Sequence, residues 1–131
     1  ALAAAASPTR AAMAGLAASH SPGPVYLDGV LSKAIEWKAL GGRNAEARLR
    51  DLLTAASATG LPPKPHHQSA VLLAAKGDGF VPFDAAQALA DHWSAELRAL
   101  PGGHATALWR HRPTFAQAIA DAFRRLEALD A

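Results

Sequence analysis

The chain reads as an α/β protein, with about three parallel strands, flanking helices and a small helical lid-like segment. Two observations predict this. Ser69 to Ala75 (SAVLLAA) is a continuous apolar run, too short for a helix and bounded by turn residues, the pattern of a strand buried on both faces. From there the order is strand, helix, strand, helix, which is that of an α/β unit. The length of 131 residues, half of them hydrophobic, suits one small domain with a single core. That core is thin, because 34 residues are alanine and the larger apolar side chains are mainly 17 leucines.

Taken in order, Ala1 to Ala6 is good helix material with no N-cap before it, and Ser7-Pro8 ends it, since the residue before proline is pushed out of the α region. Arg10 to Ala18 is short and apolar and is taken as a strand. Ser19 to Pro24 is turn chemistry. Residues 28–57 form two lid-like helices. In the first, Val30, Leu31, Ala34 and Ile35 make a stripe that runs to Leu40 and stops at Gly41-Gly42. The second is capped by Asn44, with Ala45, Leu49, Leu52 and Leu53 on one side. The proline-rich stretch 60–68 breaks the chain. After the strand at 69–75, the Gly77-Asp78-Gly79 turn leads to a helix from Pro82 with Phe83, Ala86, Leu89, Ala90 and Trp93 on its face. Ala95 to Leu100 is the next strand and Pro101-Gly102-Gly103 the next turn. The last helix opens at Pro113, with Phe115, Ile119, Phe123 and Leu126 as its stripe.

Several function classes fall away. With no cysteine, disulfide scaffolds, zinc ribbons, iron–sulfur sites and thiol catalysis are excluded. A net charge of +2 with no long basic run gives no expectation of nucleic acid or an anionic membrane as partner. No apolar run approaches the roughly 20 residues of a membrane-spanning helix, and with no targeting signal a cytoplasmic location is expected. No cofactor is expected. The bias to Ala and to Arg over Lys fits the coding habit of a GC-rich bacterial genome.

In open α/β sheets, ligands bind beyond the carboxyl ends of the strands. Two such ends carry a polar residue in a glycine-bearing turn, Asp78 and His104. If their strands are near neighbours, a carboxylate and an imidazole meet there, the pair that orients a base for a serine nucleophile. The alternative is that Asp78 only shapes its turn and His104 is a loop histidine. His66 and His67, adjacent in a proline-rich loop, read as solvated. Arg110, His111 and Arg112 read as a basic turn before a helix, with anion binding as the second option. None of the seven serines lies in the GxSxG setting of a nucleophile elbow.

KGDGFVP (Lys76 to Pro82), GGHATALW (Gly102 to Trp109) and AIADAFRRL (Ala118 to Leu126) resemble the C-terminal part of the α/β-hydrolase domain-containing protein 18 family. VYLDGVLSKAIEW (Val25 to Trp37) resembles that family's segment between the nucleophile elbow and the last strands. Residues 43–68 lie outside the resemblance. It implies the C-terminal portion of an α/β-hydrolase fold over residues 1–131. It implies that Asp78 is the triad acid, in an Asp-x-x-Val-Pro turn, and that His104 is the triad base. It also implies a serine just upstream of Ala1, because Leu2 to Ala6 looks like the helix that follows the elbow. The function expected is therefore that of a serine hydrolase fragment acting on a small-molecule ester or related acyl bond. The competing expectation is a non-catalytic α/β binding or interaction domain. If the nucleophile strand is absent, the strand at 10–18 has an unpaired edge, and the isolated chain is expected to self-associate.

Overall fold

The computed structural model describes residues 1–129 and 131; Asp130, within the 69–131 unit, lies outside the described residues. Helix α1 (Leu2–Ala6) is followed by β1 (Ala14–Leu16), α2 (Ala45–Ala55), β2 (Val71–Ala75), α3 (Phe83–Trp93), β3 (Glu96–Leu100), α4 (His104–Arg110) and α5 (Arg112–Ala128). The three strands form one parallel sheet in the order β1-β2-β3.

Strand β2 is the centre of the molecule, and its alternation builds both layers. Successive side chains of a strand point to opposite faces. Leu72 accordingly joins Ala5 of α1 and Leu89, Ala90 and Trp93 of α3 on one face. Val71, Leu73 and Ala75 meet Leu100, Ala107 of α4 and Ala118 and Ala122 of α5 on the other. Burying each of the larger side chains contributes about 1.5–3 kcal/mol, so Leu72, Leu73, Leu89 and Trp93 dominate the core.

Several sequence expectations are corrected. The first strand covers Ala14–Leu16 rather than 10–18, and it ends where Ala17 takes a left-handed φ of 51°. The helix expected from Asp28 to Leu40 does not form. Pro24–Asp28 is a π turn and Val30–Ala34 a 3₁₀ turn, and the chain is extended at Ile35. Gly29 divides the two turns. A Cβ there would lie 2.8 Å from the Phe80 carbonyl oxygen, and Val30 donates to the Gly79 carbonyl at 2.7 Å, so contact with the Asp78 turn overrides helical continuity. Helix α2 buries Ala45, but Leu52 is 67% exposed, and Asn44 makes no side-chain cap.

The turn after β3 is followed directly by helix α4, which begins at His104, so this histidine is helical rather than in a loop. On α5 the buried face is Ala118 and Ala122, while Ile119 and Phe123 are 41% and 57% exposed. Asp121 and Arg125 of the same helix bond Arg98 and Glu96 of β3, so ion pairs to the sheet accompany the small residues that face it. The pairing also gives Arg124 and Arg125 partners in Asp121 and Glu96, beyond any interaction with the helix dipole.

Candidate functional site

The sheet ladder continues past its strands. Lys76 N–H donates to Leu100 O at 2.9 Å, and Gly77 N–H donates to Gly102 O at 3.0 Å, which ties together the loops that follow β2 and β3. Glycine is required here: a Cβ on Gly77 would sit 3.0 Å from the Gly102 oxygen, and Gly102 has a φ of +94°. Thr106 caps the start of α4, its hydroxyl accepting from Gly103 N–H at 2.9 Å.

These constraints bring Asp78 and His104 together. His104 Nδ1 lies 2.8 Å from Asp78 Oδ2. The other carboxylate oxygen accepts from the backbone N–H groups of Phe80 and Val81, both at 2.9 Å. Asp78 is thus anchored by its own turn, with its side chain only 2% exposed, whereas that of His104 is 46% exposed. A carboxylate bonded at Nδ1 selects the Nδ1–H tautomer and leaves the Nε2 lone pair as the basic one. Phe80 packs on the imidazole with ring centroids 5.4 Å apart. Sequence reasoning did not single out Phe80, although its place two residues after the acid in a glycine-bearing turn is a usable signal.

The other candidates separate. His67 is buried rather than solvated; its Nδ1 accepts from Lys64 N–H at 3.1 Å. Burial holds His67 below the usual imidazole range, an effect that the nearby Ala4 carbonyl partly offsets without reaching hydrogen-bond geometry with Nε2. His92 bonds the Leu61 carbonyl at 2.8 Å. Arg110, His111 and Arg112 form the joint between α4 and α5, and the Arg112 guanidinium lies 5.5 Å from the centre of the Trp109 ring. His20, which drew no attention in the sequence, bonds Ser57 Oγ at 2.9 Å; Ser57 also caps the turn that follows it. Among the described residues no serine is hydrogen-bonded to His104, and no group of three or more His, Asp or Glu side chains is placed to hold a metal ion.

An open parallel sheet with helices on both faces and a carboxylate–imidazole pair beyond its carboxyl ends is the architecture of part of an α/β-hydrolase domain. The family model described as alpha/beta hydrolase domain containing 18 matches residues 44–125, more than half of the chain, and the chain belongs to that family. The match includes most of the 43–68 segment that the sequence resemblance had left out. No curated protein and no solved structure matches the chain.

Proposed function

We propose that this chain supplies the acid and the base of a Ser-His-Asp triad in a serine hydrolase that cleaves a carboxylic ester or related acyl bond. The serine hydroxyl comes from outside these 131 residues. Its oxygen attacks the carbonyl carbon while His104 Nε2 takes the proton; the ring then returns that proton to the departing alkoxide. Asp78 keeps the ring in its tautomer and stabilises the imidazolium. Water attacks the resulting acyl-enzyme with the same base, restoring the serine and releasing the acid. A cytoplasmic location goes with this proposal and is checked by cell fractionation.

The observation that supports the reading most is the bond from a half-exposed imidazole to a buried carboxylate whose second oxygen is already engaged by two backbone amides. The test is fluorophosphonate labelling and ester hydrolysis, on the chain alone and on a polypeptide extended upstream. The expected result is activity only in the extended polypeptide, lost in His104→Ala. An extended polypeptide that folds but neither labels nor hydrolyses esters would favour the non-catalytic binding domain. Labelling of one of the chain's seven serines would refute the external nucleophile.

A further inference from the structure

Helix α4 leaves the candidate site carrying a patch that the triad reading does not use. Leu108, one turn beyond His104, is 48% exposed, and the next residue, Trp109, is 76% exposed. Two large apolar side chains exposed side by side and flanked by charged residues have the character of a contact surface. Arg110 and Arg112 flank it, and neither has a carboxylate partner among the described residues. The charge here is one-sided: from Leu100 to Ala120 the sequence contains two arginines, Arg110 and Arg112, and no acidic residue. The net charge of +2 for the whole chain conceals this, because the acidic residues lie elsewhere.

We propose that the Leu108–Arg112 patch docks on an anionic lipid surface. Three features favour lipid over a protein partner. First, the surface at Ala105, Thr106, Trp109 and Arg110 that adjoins the indole is open to solvent rather than enclosed, which suits a broad, fluid surface better than a single inserted side chain. Second, an indole with one apolar body and one N–H belongs at the level of lipid headgroups, where tryptophan concentrates. Third, Arg112 lies over the Trp109 ring, so cation and ring are presented together, as contact with headgroup phosphates and acyl chains requires. Because α4 starts at His104, docking would bring the carboxyl end of the sheet close to the membrane plane. The proposal does not depend on the triad, since it concerns where the chain binds and not what it cleaves.

Co-sedimentation of the full chain with phosphatidylcholine vesicles, with and without phosphatidylglycerol, tests it. Binding is expected only with the anionic lipid and is weakened by salt. The double variant R110Q/R112Q should bind about tenfold or more weakly, as expected for losing two cations at a charged surface. Trp109→Ala should weaken binding by about tenfold through loss of the buried ring, with an unchanged melting curve because the residue is exposed. Three results would overturn the proposal: no binding at low salt, equal binding to neutral vesicles, or variants that bind as the parent does. Concentration-dependent dimerisation abolished by Trp109→Ala, without vesicle binding, would assign the patch to a second copy of the chain and also overturn it.

Discussion

Replacing Asp78 with Ala or Asn separates its two jobs, because each carboxylate oxygen has a different partner. In Asp78→Ala the Phe80 and Val81 amides lose their acceptor at 2.9 Å, and His104 loses its bond at 2.8 Å. Water can reach the Phe80 amide, since that residue is exposed, but Val81 is buried and its N–H is left without a partner. A hydrogen bond to a charged group contributes about 1.5–3 kcal/mol, and an unsatisfied buried donor costs about 1–3 kcal/mol. Asp78→Ala is therefore expected to destabilise the chain by about 2–4 kcal/mol. Asp78→Asn keeps an oxygen toward the two amides and should cost about 1 kcal/mol. Its NH₂ group then faces His104, so the ring must accept at Nδ1 and carry its proton on Nε2, the wrong tautomer for a base. In a serine protease triad the equivalent change lowers kcat by about 10⁴-fold. Urea denaturation measures the first effect, and ¹⁵N NMR of the His104 ring reads the tautomer directly. An Nδ1–H tautomer that persists in Asp78→Asn, or an Asp78→Ala cost below about 0.5 kcal/mol, would refute the division of labour drawn from these bonds.

Gly102→Ala should cost about 1–3 kcal/mol by thermal denaturation, because its φ is +94° and the new Cβ would lie 2.7 Å from Thr106 Oγ1. Gly60→Ala, with nothing within 4 Å of its Cβ, should stay within about 1 kcal/mol of the parent. The folded pKa of His67 lies below the ordinary 6.5, chiefly through burial, so above that pH it is neutral in both states. Below it the unfolded chain takes up the proton first, and stability falls as pH drops from 6.5 through the lowered folded value. His67→Gln should make the fall in melting temperature shallower but not remove it, because burial also lowers the pKa values of His20 and His66. Hydrogen bonds from Arg98 and then Gln117 lower the Asp121 carboxyl from 3.8 to about 2, so its contribution is present above 3.8 and lost as pH falls through about 2. NMR titration should find that midpoint near 2 and rising toward 3.8 in Arg98→Gln. We also propose that the chain self-associates through the β1 edge, since among the described residues that strand pairs only with β2. Light scattering over a concentration series should show rising mass, and a monodisperse monomer would refute it.

Strong local signals carried much of the architecture. The run ending at Ala75 fits a strand buried on both faces, and the Phe83–Trp93 spacing and the Pro113 start marked helices that formed. Asp78 and His104 were legible as neighbours because each follows a strand in a glycine turn. Where the reading failed, a distant contact had overridden local preference. The stripe from Val30 broke where Gly29 packs against the Asp78 turn. Helix α5 sets Ala118 and Ala122 rather than Ile119 and Phe123 in the core while Asp121 and Arg125 pair with β3, a pairing that no periodicity of apolar residues encodes. The His104 helix was missed because Gly102-Gly103 reads as loop, while the Thr106 cap that starts it lies three residues on.

The link from Gly77 to Gly102 also bears on how the site fails. Acid and base follow adjacent parallel strands about 4.8 Å apart, and the register of β2 and β3 sets which loop residues can meet. The Gly77–Gly102 bond extends that register into the loops that carry the pair. A slip of one residue between these strands would part the two side chains entirely and would also turn the inner face of β3 outward. Heating should therefore leave the Asp78–His104 bond intact until the sheet itself melts, so that the ring's NMR signal and the far-ultraviolet signal of the strands disappear at one temperature.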